Sequence, residues 1–375
     1  MSKRACIVTT VLFLVFIGGF CLLIFVMPDR TFSEQENRYL QQLPDFSLEA
    51  LEDGSFMASF EKYTTDQFPF RDAWTTLKAG AELAQGKSEN NGVYYCEGGL
   101  LIERATRPDP AQTESNIAAL NTFAENVDVP VYLQLVPNSG SVWEDALPEN
   151  APFYNQKDLI HQIYSQVVDV TTIDVSSVLD AHKDEYIYYH TDHHWTTLGA
   201  FYAYQAAAEA MGLTPREKSD FTPEIASDSF YGTVYSTSGF SWVPPDTIEY
   251  WVQEPAGLQI TNYPKGEPVE GVLYDRSFLQ KKDKYSSFFG GNTPMLDITT
   301  GADADLPVLL VIRDSYADCQ NPFWFEDFSR IIVVDLRYYK GDIDGLVRDE
   351  GVDSVLLTYS AGNFASDKDV FFLSQ

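Results

Sequence analysis

The pattern of apolar and polar positions divides the chain into an apolar N-terminal run, a polar segment and a long alternating region. Residues 5–27 contain no charged side chain, and a helix that crosses a bilayer needs about 20 residues. Lys3 and Arg4 precede the run and predict a cytoplasmic N-terminus, with the rest of the chain outside. A cleaved signal peptide is the alternative, although its apolar region is usually about 7–15 residues long. The pattern favours a membrane anchor over residues 1–28.

Residues 29–88 are polar and rich in helix-forming residues, which predicts a helical arm. Pro69 interrupts the helical pattern that extends from Phe60 to Leu83. The residues of this segment match no recognised chemistry. We therefore interpret the arm as a stalk rather than as an independent binding site.

Residues 89–375 combine strand patterns and helix patterns in alternation. Apolar runs of strand length occur at 129–136, 170–175, 307–312, 331–334 and 354–358. Continuous runs of this kind suit strands that are buried on both faces. Because helical patterns separate most of them, we predict an α/β fold with a doubly wound, mainly parallel sheet. Residues 91–102 predict an additional β-hairpin.

Residues 218–307 interrupt this alternation. The segment is rich in Gly, Pro, Ser, Thr and aromatic residues and shows few helical periods. It predicts a loop- and β-rich insertion with short antiparallel strands. Its aromatic residues are candidates for stacking on sugars, and an aromatic mini-core within the insertion is an equally good interpretation.

Composition bears on the size of the core, on the surface charge and on the redox state of the cysteines. Hydrophobic residues make up 45% of the chain, and 55 acidic against 25 basic residues give a net charge of −30. An acidic surface repels nucleic acid, so we predict no nucleic-acid partner. Of the four cysteines, Cys96 and Cys319 lie in the part predicted to be exported. They can form a disulfide only if that part faces an oxidising space.

Three of the five histidines lie in one short segment, residues 188–199. Asp192 and His194 are two positions apart on a predicted loop before a helix, so both side chains can reach one cleft. A serine hydroxyl becomes a good nucleophile when an imidazole accepts its proton and a carboxylate orients that imidazole. The segment therefore supplies two members of a Ser-His-Asp triad.

Ser315 is the candidate for the third member. It follows the predicted strand at 307–312 and precedes a predicted helix, and active sites of doubly wound sheets form at this edge. Backbone N–H groups at the helix start would stabilise an oxyanion. Serine is also a good helix cap, which is the alternative. The Asp192 and His194 pair favours the catalytic interpretation.

The other two histidines of the segment allow a different interpretation. His190 and His193 could form a metal site with Asp192 and His194. No cysteine or further histidine with ligand spacing occurs outside the apolar run, so we predict neither a metal nor a cofactor. His193 is expected to point away from the triad or to support it through a hydrogen bond.

Residues 192–195, Asp-His-His-Trp, resemble the motif that names the DHHW family. That family resembles the SGNH-hydrolase-like O-acetyltransferases that acetylate alginate and related exopolysaccharides, which use an Asp-x-His pair and a later serine. The resemblance also includes Glu36-Asn37-Arg38, Asp66-Gln67-Phe68-Pro69, Phe289-Gly290-Gly291-Asn292 and Arg337-Tyr338-Tyr339. It implies an SGNH-hydrolase-like fold and a triad of Asp192, His194 and Ser315.

The resemblance also implies a function. We expect serine-dependent acyl (acetyl) transfer to or from a cell-surface or secreted polysaccharide, with a membrane-bound O-acyltransferase as the donor partner. Asn292, Gly291, Asn138 and His193 are the candidates for oxyanion or substrate contacts. A plain carbohydrate esterase and a non-catalytic surface or assembly protein are the alternatives.

Overall fold

A computed structural model describes residues 2–374, which form two compact units. One unit comprises the described residues up to Asn91 together with Tyr235–Trp242, and the other comprises the rest. The helices are α1 (Lys3–Val26), α2 (Leu48–Glu52), α3 (Ser55–Asp66), α4 (Arg71–Ala84), α5 (Pro110–Asn126), α6 (Ser139–Val142), α7 (Gln156–Tyr164), α8 (Val175–Ala181), α9 (Thr197–Ala210), α10 (Thr233–Ser238), α11 (Ile343–Asp349) and α12 (Ala361–Ser366). The strands are β1 (Phe32–Ser33), β2 (Arg38–Tyr39), β3 (Glu89–Asn90), β4 (Val93–Tyr95), β5 (Leu101–Glu103), β6 (Val131–Val136), β7 (Val170–Ile173), β8 (Glu224–Phe230), β9 (Asp246–Tyr250), β10 (Gln259–Asn262), β11 (Val269–Glu270), β12 (Met295–Thr299), β13 (Val308–Arg313), β14 (Arg330–Val334) and β15 (Ser354–Ser360).

The apolar N-terminal run forms α1. Among residues 2–374, this is the one helix that is long and apolar enough to cross a membrane. None of its side chains is buried within the protein. An uncleaved anchor and a signal sequence share these properties.

The arm consists of α2, α3 and α4, and the interval between α3 and α4 contains Pro69, where the sequence predicts a break. A small ionic cluster holds it together. Asp66 is 5% exposed and accepts hydrogen bonds from the Arg38 guanidinium at 2.6 and 2.9 Å. The hydrogen bond from Arg38 holds the pKa of the Asp66 carboxyl below its usual range. Glu36 accepts hydrogen bonds from both Arg38 and Arg71.

One eight-stranded sheet forms the centre of the larger unit, in the order β11-β10-β12-β14-β13-β15-β6-β7. The five strands from β14 to β7 are parallel, and β12, β10 and β11 continue the sheet in antiparallel fashion. The predicted fold class, a doubly wound and mainly parallel sheet, is confirmed. The antiparallel strands come from residues 218–307, so part of the predicted insertion extends the main sheet.

Both faces of the sheet are covered. Along β13, Leu309 and Val311 contribute to one apolar cluster, whereas Leu310 and Ile312 contribute to another. Side chains of a strand alternate between the two faces, and here every one of these four is buried. A strand of this kind has no polar face, which is why its sequence is a continuous apolar run.

The structure differs from the sequence-based predictions at two places in the chain. The stretch that follows β13, where the sequence predicts a helix after Ser315, forms two short 3-10 helices, Ser315–Cys319 and Asn321–Glu326. A five-residue 3-10 helix has too few aligned peptides for a large macrodipole, so oxyanion stabilisation there depends on individual N–H groups. In the insertion, Phe230, Phe288 and Phe289 are buried in the main core of the unit rather than in a separate mini-core of the insertion.

The four cysteines are free thiols. Cys96 and Cys319 are buried in separate apolar clusters, and no disulfide joins them. Burial raises the pKa of the Cys96 thiol to about 11 and that of the Cys319 thiol to about 12. Both therefore behave as small apolar core residues.

Candidate active site

The His/Asp segment is a tight loop before α9. Tyr188 and Trp195 form an isolated antiparallel bridge, and the Tyr189 N–H donates to the His194 carbonyl at 3.2 Å. Thr196 caps α9, because its hydroxyl accepts a hydrogen bond from the N–H of Gly199 at 3.3 Å. The backbone thus folds back on itself within a few residues.

A buried carboxylate, Asp246 on β9, anchors this loop from another part of the chain. It accepts the N–H groups of His190 at 2.8 Å and Thr191 at 2.7 Å, and it also accepts the Thr191 hydroxyl. The Tyr186 hydroxyl donates to it at 2.5 Å. No motif in the sequence marks Asp246, so sequence reasoning missed this anchor.

Ser315 lies just after the end of β13, where it is the first residue of the first 3-10 helix. The cap of that helix is Asp314, whose side chain accepts the N–H of Tyr316 at 3.0 Å. Its other oxygen accepts the N–H of Ser360 at 2.9 Å and the Asn363 amide at 2.8 Å. The sequence allowed Ser315 to be the helix cap, but Asp314 is the cap instead. Asp314 also joins the turn to the end of β15.

Reciprocal hydrogen bonds join the His/Asp loop to the Ser315 turn. The indole N–H of Trp195, which is fully buried, donates to the Tyr316 carbonyl at 2.8 Å. The Tyr316 hydroxyl donates in return to the carbonyl of His193. Trp195 is thus a packing residue with a specific polar partner, and two segments more than 100 residues apart meet at a defined distance.

The structure brings Asp192, His194 and Ser315 together. His194 Nδ1 lies 2.6 Å from Asp192 Oδ1, and His194 Nε2 lies 2.8 Å from Ser315 Oγ. Because the carboxylate can only accept, Nδ1 carries the proton and Nε2 is the lone-pair nitrogen that faces the serine. This is the order of groups by which a serine is activated as a nucleophile.

Asp192 is held in place by more than the histidine. Its Oδ2 accepts the Thr233 N–H at 2.8 Å and the Thr233 hydroxyl at 3.1 Å, and its Oδ1 accepts the N–H of His194 at 3.0 Å. Gly232 packs so closely that a Cβ atom there would overlap with the Asp192 side chain. The carboxylate has room for one orientation, which fixes the imidazole in turn.

The pKa values of the pair suit a base that is neutral at neutral pH. Burial lowers the pKa of the His194 imidazole, and the nearby His193 lowers it further, against the opposing effect of Asp192. Burial alone would raise the pKa of Asp192, but the two histidines and its hydrogen bonds outweigh burial and hold it well below the usual range. Asp192 is therefore ionised and His194 has its free electron pair available.

Tyr285 covers the other side of the imidazole. Its ring stacks on His194 with centroids 3.8 Å apart and an interplanar angle of 10°. Its hydroxyl donates to the Ser315 carbonyl at 2.9 Å. The residue excludes water from one face of the ring and ties it to the serine turn. It lies in the insertion, a few residues before Phe289-Gly290-Gly291-Asn292 but outside that motif, and sequence reasoning did not find it.

A cavity of about 600 Å³ opens beside the triad, and His193, Tyr316 and Asn138 lie in its wall. His193 is partly exposed, and its Nδ1 lies 2.7 Å from the Thr233 hydroxyl, so it supports the Asp192 environment from outside. Asn138 caps α6 through its carbonyl oxygen, which accepts from Ser141. Its amide NH2 group is left as a donor at the cavity wall.

Asn292 and Gly291, the other oxyanion candidates, have different partners. The Gly291 N–H donates to the Phe288 carbonyl at 3.2 Å. The Asn292 carbonyl oxygen accepts from the guanidinium groups of Arg313 at 3.1 Å and Arg337 at 3.4 Å. No hydrogen bond joins either residue to the triad within the described chain.

Arg313, directly before the serine turn, is fully buried and forms ion pairs with Asp318 at 3.1 Å and Asp335 at 3.4 Å. Burial raises the pKa of the Asp318 carboxyl to about 7, against the attraction of Arg313. Arg337 also pairs with Asp335, at 2.6 Å. Sequence reasoning missed this buried charge network beneath the turn.

The four residues that could form a metal site by sequence do not all lie close together. Asp192, His193 and His194 have ligand atoms within 4.8 Å of one another. The His190 ring lies instead edge-on to Trp143, with centroids 5.8 Å apart. The Asp192 and His194 atoms that would bind a metal already pair with each other.

The fold and the site define an α/β protein with a serine, a histidine and an aspartate in hydrogen-bond contact at the carboxyl edge of a mainly parallel sheet. The sequence model of the family described as DHHW protein matches residues 111–334, and the chain belongs to that family. Among curated proteins, none matches this sequence.

Three solved structures resemble this chain to different extents, and the first two show the same fold. A DHHW family protein from Eubacterium siraeum is 27% identical, with a TM-score of 0.65 over 76% of this chain and 95% of that one. PatB1 of Bacillus cereus, solved with a sulfonyl adduct, is 20% identical, with a TM-score of 0.64 over 74% of this chain and 98% of that one. The O-acetyltransferase domain of Pseudomonas putida AlgJ is 17% identical, with a TM-score of 0.48 over 76% and 98%.

Proposed function

We propose that this protein is a membrane-anchored, extracytoplasmic acyltransferase that moves an acetyl group to or from a cell-surface or secreted polysaccharide through Ser315. The observation that carries the proposal is the hydrogen-bonded chain from Asp192 through His194 to Ser315. The family resemblance and the apolar helix α1 support its setting.

The geometry supports a two-step reaction. As Ser315 Oγ attacks the carbonyl carbon of the acetyl donor, His194 Nε2 accepts the hydroxyl proton and then passes it to the departing oxygen. The acetyl-serine is next attacked by a sugar hydroxyl, whose proton goes to His194. The C–O bond to Ser315 breaks, and Ser315 recovers a proton from His194. Asp192 orients the imidazole and stabilises its charged form in both steps.

Each tetrahedral intermediate carries a negative oxygen that needs donors. The N–H of Ser315 and the amide of Asn138 are the groups that we propose for this role. The partner that supplies the acetyl group is a membrane-bound O-acyltransferase, and the acceptor polysaccharide enters through the cavity beside His193.

Ser315→Ala tests the proposal directly. In the purified full chain, we expect hydrolysis of a chromogenic acetyl ester, or acetyl transfer from it to an oligosaccharide, to fall by about 10⁴- to 10⁶-fold. Ser165→Ala, which removes an exposed serine after α7, is the matched control and should leave the rate unchanged. Full activity of a folded Ser315→Ala variant would exclude the mechanism. Release of acetate alone, without acetylated sugar, would identify an esterase.

A further inference from the structure

A second cavity, of about 450 Å³, lies on the same edge of the sheet as Ser315. We call it the tyrosine pocket, because Tyr263, Tyr338 and Tyr339 are among its lining residues. Two prolines, two glycines, Met295 and two lysines complete the lining, which contains no carboxylate. The chain as a whole has a net charge of −30, so this lining is less acidic than the average composition of the protein.

The sheet register places this pocket relative to the nucleophile. Val334 of β14 pairs with Ile312 of β13 on one side and with Met295 of β12 on the other. Ser315 follows β13, and the tyrosine pocket is built where β14 ends and β12 begins. Neighbouring strands are about 5 Å apart, so the two sites are separated by about 10 Å along the edge.

The first cavity lies on the opposite side of Ser315. Its wall includes Asn138, which follows β6, and Ser360, which ends β15, whereas the tyrosine pocket adjoins β14 and β12. In the order β12-β14-β13-β15-β6, the serine turn is therefore flanked by a cavity on each side. Two sites on either side of a nucleophile suit a ligand that is itself a chain of repeating units.

The lining of the tyrosine pocket suits a sugar ring. Tyr338 is 51% exposed, and aromatic faces pack against the apolar C–H face of a pyranose. The hydroxyls of Tyr263 and Tyr338 have no hydrogen-bond partner in the part of the chain that the structure describes, so they can bind sugar hydroxyls. Lys340 is already paired with Asp369 at 2.5 Å, which leaves Lys265 as the exposed cation of the pocket.

From this geometry we infer that the tyrosine pocket is a carbohydrate subsite that holds a neutral pyranose unit of the acceptor polymer, two strand widths from Ser315. This inference rests on the proposed function and names its substrate class. One cation does not outweigh the acidic surface, so a neutral chain is favoured over a polyanionic one. The subsite would hold the polymer while the first cavity presents one hydroxyl to the acetyl-serine.

The test measures binding by the full chain in detergent, with Ser315→Ala as the background so that no turnover occurs. Cellohexaose, mannohexaose and chitohexaose are the neutral probes, and a hexauronate is the charged one. We expect at least one neutral probe to bind, Tyr338→Ala to weaken that binding about tenfold, and Tyr338→Phe to weaken it less. Tyr39→Ala, at an exposed tyrosine of the other unit, should have no effect.

Three results would overturn the inference: no binding of any neutral probe, binding of the hexauronate alone, or equal affinity in the Tyr338→Ala variant with its fold verified by thermal unfolding. The proposed function is judged separately, by small-ester hydrolysis of the unmodified chain against Ser315→Ala. Sugar binding without that hydrolysis would retain the subsite and refute the chemistry.

Discussion

His194 is held from three directions, and each contact has a separate consequence. Asp192 fixes the proton on Nδ1, Tyr285 stacks on one face, and Ser315 meets Nε2 at 2.8 Å. On the solvent side, the His193 ring lies 3.9 Å from that of His194, centroid to centroid. A second imidazole at this distance disfavours a positive charge on the first.

The acid limb of the pH–rate profile should report this arrangement. His194 acts only while it is neutral, and its pKa is lowered by burial and by His193, so activity should persist below pH 6.5. His193→Gln removes one of the lowering effects. The His194 pKa should therefore rise, and the acid limb of kcat/KM should move to higher pH.

The matched control is His161→Gln, at an exposed histidine of α7. Its acid limb should coincide with that of the unmodified protein. An unchanged limb in His193→Gln, or a shift to lower pH, would contradict the assignment of His194 as the base.

At the scale of elements, the site depends on the loop before α9 and on the turn after β13. The positions of these two loops also depend on neighbouring segments. The chain between β8 and the start of α10 fixes the Asp192 carboxylate. Thr233 donates hydrogen bonds to it, and Gly232 packs so closely against it that no side chain fits there. The position of the carboxylate is therefore a property of a neighbouring loop as well as of its own.

Gly232→Ala tests that dependence. The new methyl group should push the Asp192 carboxylate aside and lower kcat by about 100-fold, since a displacement of about 1 Å at a catalytic group has that effect. Gly80→Ala in α4 is the control. Its Cβ would meet only an ordinary contact, and alanine in a helix should stabilise by about 1 kcal/mol without changing the rate. Steady-state kinetics and thermal unfolding of both variants measure these effects. Full activity of Gly232→Ala would show that close packing at Gly232 does not fix the Asp192 carboxylate.

The elements differ in how far the sequence predicts them, for a physical reason. Strands such as β13 and β15 are buried on both faces, so their apolar runs are continuous and visible. The 3-10 helices after Ser315 were predicted as one helix, because local pattern does not separate the two helix types. Strands β10 to β12 are short and joined by long loops, and their place in the main sheet depends on pairings between distant residues.

The same distinction applies to the candidate site. Asp192, His194 and Ser315 could be predicted because their residue types and positions carry chemical meaning. Asp246 and Tyr285 could not, because a buried aspartate and a stacked tyrosine have no local signature and depend on tertiary contacts. The catalytic role of all these residues stays a prediction.

The whole molecule combines an apolar helix at one end with an acidic chain of net charge −30. The charge favours solubility and disfavours anionic partners. An attachment through α1 would keep such a domain near the membrane-bound acyl donor that we propose, which a freely diffusing domain would meet less often.

Fractionation tests this attachment. We expect the full chain to stay with membranes after alkaline carbonate extraction, whereas a chain that lacks residues 1–27 should be released, because it loses the apolar helix α1, which is long enough to span the bilayer. Protease added outside intact cells should digest the remainder of the full chain. Release of the full chain by carbonate, or complete protection from protease, would contradict the proposed anchor and orientation.

The central claim is that Ser315 forms the covalent intermediate, and peptide mass spectrometry tests it most directly. The purified chain is incubated with a sulfonyl fluoride, a reagent that reacts with activated serine hydroxyls, and then digested. We predict one sulfonyl group on the peptide that contains Ser315, and none when His194 is replaced by Gln, because the serine then lacks its base. An unmodified Ser315 in the folded protein, or labelling that does not depend on His194, would contradict the account.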